Sequence, residues 1–212
     1  MPELIVWLCI AAVAYNYVGY PILLFVLCVL VQAKSDFLYL VRRHSRRRLL
    51  RTDKTPRVAV LISIYNEETV IEAKARNCVE LDYPTDRVEF LLGLDAPTDS
   101  TAHLLSRMTS DRFRVFQFST RRGKLAVLCD LAQNTSAEIL VLTDANTLLD
   151  RTAIRSLVRH FADPRVGAVS GEEIRVAAPG TDGSAEGLYW RYESAVKILE
   201  SRLNCSLGGT FE

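Results

Sequence analysis

The sequence predicts an α/β domain, a mostly parallel sheet with flanking helices, preceded by one N-terminal transmembrane helix. Three observations predict it. Residues 4–33 contain no charged side chain. Short apolar, β-branched runs follow further on, with too little alternation for a half-exposed sheet. Between those runs lie stretches of helical spacing, so strand and helix alternate, as right-handed crossovers on a parallel sheet require. The 212 residues, 49% of them apolar, suffice for one membrane segment and one domain of roughly 150 residues.

In residues 4–33 only Asn16 and Gln32 are clearly polar. A bilayer core needs about 20 apolar residues, so the run is long enough to cross with tilt or a kink. Pro21 is the expected kink, because it lacks a backbone donor. A secretory signal fits poorly: the stretch is too long, and Pro2 and Glu3 precede it instead of Lys or Arg. Lys34, Arg42, Arg43, Arg46, Arg47, Arg48 and Arg51 crowd the far flank. Basic excess marks the cytoplasmic side, so a single pass through the inner (plasma) membrane with a cytoplasmic domain is expected. Residues 34–55 form a basic juxtamembrane segment, and residues 37–50 carry leucines that could lie along anionic lipid. That position accounts for the arginines without a nucleic-acid partner, and the net charge of +1 points to no partner of either sign.

The domain is expected over residues 56–212. Residues 58–64 read as a strand buried on both faces. Tyr65-Asn66-Glu67-Glu68 leads into a helix carrying Val70, Ile71, Ala73, Ala75 and Cys78, which Leu81-Asp82-Tyr83-Pro84 ends. A second strand covers residues 88–94 and exits at Asp95. Asp99 or Ser100 can cap a helix over residues 101–108. Residues 113–118 form a third strand, Gly123 and Lys124 open a helix to Gln133, and residues 138–143 form a fourth strand ending at Asp144. Asp150 or Thr152 caps a helix through Phe161, and residues 166–170 read as a fifth strand. Residues 187–203 read as a helix packed on the sheet; an interfacial helix on the membrane, or the edge of an acceptor channel, is the alternative.

The scattered, odd set Cys9, Cys28, Cys78, Cys129 and Cys205 contains no C-x-x-C pair. It supports neither a zinc site nor a disulfide framework and reads as small buried thiols. His44, His103 and His160 are isolated and read as surface or helix residues.

In a parallel sheet of this kind ligands bind beyond the carboxyl ends of the strands. Tyr65, Glu67, Asp95 and the Asp144-Ala145-Asn146 turn occupy those positions, and they are polar or acidic. Asp144 and Asn146, two apart at a strand exit, can turn to one point and hold a hard cation such as Mg2+ or Mn2+ with phosphate oxygens and water; such an ion neutralises a diphosphate leaving group. In Arg121-Arg122-Gly123-Lys124, Gly123 lets backbone approach a ligand and Lys124 offers a point charge to phosphate. Asp95 and Glu67 can accept hydrogen bonds from a nucleoside, and Tyr65 can offer a ring face to its base. The spacings of a Walker loop and of the G-x-G-x-x-G dinucleotide fingerprint are absent.

These motifs resemble family 2 glycosyltransferases. Residues 58–68 resemble their opening strand with its Y-N-E-E loop, and Leu81-Asp-Tyr-Pro84 the turn after it. Leu94-Asp95-Ala-Pro-Thr-Asp99-Ser-Thr101 resembles D-D-G-S-T-D-x-T, Arg122-Gly-Lys124 their R-G-K element, and Asp144-Ala-Asn146 their D-A-D metal motif. Gly187-Leu-Tyr-Trp-Arg-Tyr-Glu193, with Glu200-Ser-Arg202, resembles a membrane-associated branch. The resemblance implies a GT-A fold and inverting transfer from a nucleotide-sugar donor, usually a UDP-sugar. A carbohydrate or lipid-linked acceptor would receive the sugar, as in polysaccharide or glycolipid synthesis, with a divalent metal and with membrane lipids around the anchor. It implies that Tyr65, Glu67 and Asp95 hold the nucleoside, Lys124 approaches the diphosphate, and Asp144 binds metal. Leu94 stands where the family has its first Asp, Ala96 where it has Gly, and Asn146 where it has the last Asp, which lowers the charge at the metal by one. The family's general base is an acidic residue beyond the Gly-rich segment that follows the long helix, so this chain is expected to be a front part without it. Glu172, Glu173 and Glu212 are its late carboxylates, the first two reading as a polar turn. A non-catalytic, membrane-anchored nucleotide-binding or assembly module is the alternative expectation.

Overall fold

The computed structural model describes residues 2–42, 55–108, 112–172, 174 and 184–203. The chain divides into two compact units, Met1–Leu49 with Glu172–Phe211, and Leu50–Gly171.

The first unit is helical. Helix α1 (Pro2–Ala14), a π-helical turn (Tyr15–Gly19) and helix α2 (Tyr20–Arg42) run on continuously. Its stretch Pro2–Leu38 is long and apolar enough to cross a membrane, by length and composition. The π turn has a cause in the sequence. Proline at 21 has no N–H, and its ring collides with the carbonyl four residues back. Inserting a wider turn relieves the collision, and the Tyr20 N–H accordingly reaches back to the Tyr15 carbonyl. Two carbonyls then lack a backbone donor: Tyr17, whose α partner would be residue 21, and Asn16, whose π partner would be the same residue. The Tyr192 hydroxyl donates to both, at 3.3 Å to Asn16 and 3.2 Å to Tyr17. At Pro21, where a kink is expected, the structure shows this π turn just before the proline.

Tyr192 belongs to helix α7 (Ser184–Arg202). This helix buries its contacts against α2. The Tyr20 hydroxyl donates to the Glu200 carboxylate at 2.6 Å, and the Cys28 thiol to the Leu199 carbonyl at 3.2 Å. Leu24, Cys28 and Glu200 are buried there. Expected as a helix packed on the sheet, α7 instead belongs to the helical unit, where its hydrogen-bonding side chains match the polar groups that the π turn and α2 present.

The second unit holds a four-stranded parallel sheet in the order β3-β2-β1-β4. The strands are β1 (Val58–Ile64), β2 (Val88–Asp95), β3 (Phe113–Phe118) and β4 (Ile139–Leu142). Strand β1 is central, and all its side chains but Ser63 are apolar, on both faces, because both faces are covered. Val58, Val60, Ile62 and Ile64 pack into one cluster with Ile71, Ala75 and Cys78 of α3 (Ile71–Glu80), Leu105 of α4 (Thr101–Ser106), and Ile154 and Val158 of α6 (Ala153–Val158). Ala59 and Leu61 pack the other way, against Val127, Leu128 and Leu131 of α5 (Lys124–Gln133). A Cβ on Gly93 would lie 2.3 Å from a Val127 methyl, so glycine there sets how closely α5 approaches β2.

Residues 166–170, expected as a fifth strand, form none. A β-rich run becomes a strand only where its peptide groups meet a partner edge, and no ladder involves these residues, of which Gly167, Ala168 and Ser170 are exposed. Cys28 and Cys78 are buried, whereas Cys9 and Cys129 are exposed, which corrects the uniform reading as buried thiols; all four are free. Cys205, His44, Glu173 and Glu212, with most of the basic segment, lie outside the described residues. Glu172 is exposed, as are His103 and His160.

Candidate functional site

The chain runs from β1 outward through β2 to β3, then returns to place β4 on the other side of β1. The order therefore reverses at β1, and an open crevice forms at the carboxyl ends of the strands at such a point. A cleft of about 190 Å³ lies there. Tyr65, Glu67, Asp95, Lys124, Asp144 and Asn146 all line it, so the tertiary structure brings these six residues together.

The loops after β1 and β2 are fastened to one another. Asn66, at a positive φ of 52°, accepts the Thr98 N–H on its side-chain oxygen at 2.8 Å. The Thr101 hydroxyl accepts the Glu67 N–H at 2.8 Å, and Asp99 accepts that of Glu68 at 3.2 Å. Asp99 also accepts the Thr101 N–H at 3.0 Å, so it is Asp99 that caps α4, while Ser100 makes no side-chain cap. Slight desolvation pushes the Asp99 carboxyl up, but the hydrogen bonds from Thr101 and the Glu68 backbone hold it below the usual carboxylate range. The Glu67 carboxyl is raised, by burial first and then by the negative charges of Asp144 and Asp99.

Asp95 is 2% exposed. Its two oxygens accept the backbone N–H groups of Arg122 at 2.7 Å and Gly123 at 2.8 Å. Gly123 has φ 87° and ψ 154°, a conformation open essentially to glycine alone. The carboxylate thus folds the 121–123 loop back over the end of β2 and sets the start of α5, which delivers Lys124. The Lys124 ammonium reaches both Asp144 oxygens, at 2.8 and 3.1 Å. Ala145 is buried at 2% exposure, and this inward turn leaves Asp144 and Asn146 on the cleft side. The Arg121 guanidinium lies 4.0 Å from the centre of the Tyr65 ring, a cation–π distance.

A divalent ion fits this arrangement on one observation: Asp144 already accepts a cation, the Lys124 ammonium, on both oxygens. Among the described residues no group of three or more His, Cys, Asp and Glu side chains surrounds that point. A hard cation would therefore take Asp144, with Asn146 beside it, and complete its shell with phosphate oxygens and water.

Sequence reasoning passed over Lys74. It is 1% exposed, and its ammonium donates to the Thr143 hydroxyl at 3.0 Å and to the Thr147 carbonyl. Its signal was present, since Ile71, Lys74, Ala75 and Cys78 fall at the i, i+3, i+4, i+7 spacing of a core stripe. Burial lowers the Lys74 ammonium to about 8 and raises the neighbouring Cys78 thiol to about 11. Between pH 8 and the ordinary lysine value of 10.5 the unfolded chain holds a proton that folded Lys74 has lost, so stability rises with pH. Between the ordinary thiol value of 9.0 and 11 the folded chain holds the extra proton on Cys78, so stability falls. These two groups predict an unfolding free energy that climbs from pH 8 to 9, by at most about 1.4 kcal/mol per unit, then levels. Urea midpoints of the chain in detergent check it, and Cys78→Ala should extend the climb above pH 9; a flat profile from 8 to 9 contradicts the assignment.

The family model of glycosyl transferase family 2 matches residues 59–199, from β1 through most of α7. The chain belongs to glycosyl transferase family 2. Among relatives of this glycosyltransferase chain is the beta-monoglucosyldiacylglycerol synthase of Nostoc sp., 28% identical over 165 residues, which are 74% of this chain and 34% of the relative. Another is the poly-beta-1,6-N-acetyl-D-glucosamine synthase of Staphylococcus aureus, 27% identical over 124 residues, 58% of this chain and 30% of the relative. Among solved structures, the mannosyltransferase PcManGT from Pyrobaculum calidifontis, in complex with GDP-Man and Mn2+, matches with a TM-score of 0.62 and 27% identity. That match covers 91% of this chain and 50% of the mannosyltransferase. The chain thus spans 34% or less of these two curated relatives and half of the solved one. The GT-A fold of the family is the fold observed, with its parallel sheet and flanking helices.

Proposed function

We propose that this chain is the membrane-anchored, donor-binding portion of an inverting glycosyltransferase. The enzyme would move a sugar from a nucleotide-sugar donor to the hydroxyl of a carbohydrate or lipid-linked acceptor. The observation that carries the reading is the cleft in which Tyr65, Glu67, Asp95, Lys124, Asp144 and Asn146 converge where the strand order reverses. The nucleoside would lie along the loops after β1 and β2, near Tyr65, Glu67 and Asp95. The Tyr65 ring already holds a flat cation, Arg121, against it, and a nucleobase is the same kind of flat partner. Asp144 with Asn146 would hold Mg2+ or Mn2+, which supplies charge neutralisation on the departing diphosphate. Lys124, released from Asp144 by that ion, would turn to the diphosphate oxygens. A UDP-sugar follows from the motif resemblance, and the mannosyltransferase solved with GDP-Man makes guanine the competing base. The basic flank of the apolar helix supports a single pass with the domain on the cytoplasmic side of the plasma membrane.

Calorimetry on the full chain in detergent tests this. UDP or GDP, or its sugar nucleotide, should bind in the presence of Mn2+ and at least about 100-fold more weakly without it. A folded chain that binds neither nucleotide with Mn2+ or Mg2+ overturns the reading.

A further inference from the structure

Lys74 is a charged side chain buried on the core stripe of α3, where a methionine or leucine would pack at lower cost. Taking an ammonium out of water costs several kcal/mol unless it is well partnered. Its partners have a pattern. The Thr143 hydroxyl, at 3.0 Å, comes just before Asp144, and the Thr147 carbonyl comes just after Asn146. One turn along α3, Asn77 closes a second pair with the same segment: its amide donates to the Leu149 carbonyl at 2.8 Å and accepts the Leu149 N–H at 2.8 Å. Helix α3 therefore grips the turn on both sides of the two residues that face the cleft.

We propose that Lys74 is a positioning residue of the donor site, a buried clamp that fixes the Asp144–Asn146 turn so that both oxygen-bearing side chains meet one point in the cleft. The clamp lies outside the cleft and acts on the turn through the Thr143 hydroxyl and the Thr147 carbonyl. It rests on the donor-site reading above, to which it adds a residue outside the cleft. The ammonium suits the task because one group with three donors can hold a hydroxyl and a carbonyl from opposite ends of the turn, which an apolar side chain of the same length cannot do.

Two measurements on the full chain in detergent separate the clamp from the reading it rests on. Amide exchange in Lys74→Met should quicken about tenfold or more at Thr143 and Leu149, whose N–H groups donate to the Leu61 carbonyl and the Asn77 side chain on either side of the turn, while the rest of β1 and β2 keeps its protection. The Mn2+-dependent gain in affinity for UDP or GDP should shrink about tenfold to 100-fold, the size seen when groups behind a metal ligand are lost, while metal-free nucleotide affinity stays within about twofold. General destabilisation would lower both affinities together and gives no such split. Thr143→Val, which keeps the ammonium and removes one acceptor, should show the same split at smaller size, and it serves where Lys74→Met fails to fold. Unchanged exchange at Thr143 and Leu149 overturns the clamp whatever the ligand. Faster exchange with an unchanged Mn2+ gain overturns its link to the site. A wild-type chain with no metal-dependent nucleotide binding overturns the donor reading and this role with it.

Discussion

Asp144→Ala is expected to abolish the Mn2+-dependent gain in nucleotide affinity, a loss of about 100-fold or more, with little change in stability. The two effects separate because of where the carboxylate sits. Its ion pair with Lys124 is partly solvated, at 27% and 40% side-chain exposure, and such pairs contribute only about 0–1 kcal/mol. A divalent ion in the same place would lose the one carboxylate that the Asp144–Asn146 turn supplies. Asp144→Asn, which keeps shape and removes charge, should behave nearly as badly. Paired titrations with and without Mn2+, beside thermal unfolding, check this; a variant that keeps the full Mn2+ gain removes Asp144 from the metal site.

Asp95→Ala should do the opposite and damage stability first. The side chain is 2% exposed and accepts two backbone N–H groups, at 2.7 and 2.8 Å. Hydrogen bonds to a charged acceptor contribute about 1.5–3 kcal/mol each, and water can reach part of the exposed 121–123 loop once the carboxylate is gone. A loss of about 2–4 kcal/mol in urea unfolding is expected. Asp95→Asn should recover less than half of it, because its amide offers one oxygen where two N–H groups point. Nucleotide affinity should fall as well, since Gly123 and Lys124 lose the anchor that starts α5. A variant within about 1 kcal/mol of wild type would mean that the loop holds its shape without the carboxylate.

From sequence, Asp95 and Asp144 look alike: an acidic residue leaving an apolar strand. The pattern found both because strand ends in a parallel sheet converge, and it found Tyr65, Glu67, Lys124 and Asn146 for the same reason. It could not tell that Asp95 spends its oxygens on the backbone of the 121–123 loop, since that pairing joins residues 27 and 28 apart. Nor did it see that the Tyr65 ring is already covered by Arg121. Lys74 was legible as a charge on an apolar stripe, yet its purpose depends on partners 69 and 73 residues away.

By itself the sequence determined the apolar N-terminal helix, the four parallel strands, the helices between them, and the set of residues at the cleft. Those follow from local patterns: uncharged length, buried β-branched runs, helical spacing and punctuating turns. Tertiary structure alone decided three things. It withheld strand form from residues 166–170, which meet no partner edge. It joined α7 to the membrane-type helix, where Tyr192 supplies the donor that Pro21 cannot. It divided the polar residues between those that face the cleft and those that hold the loops in place. Each is a matter of which group completes another's hydrogen bonds across long stretches of chain, and that information resides in the packing.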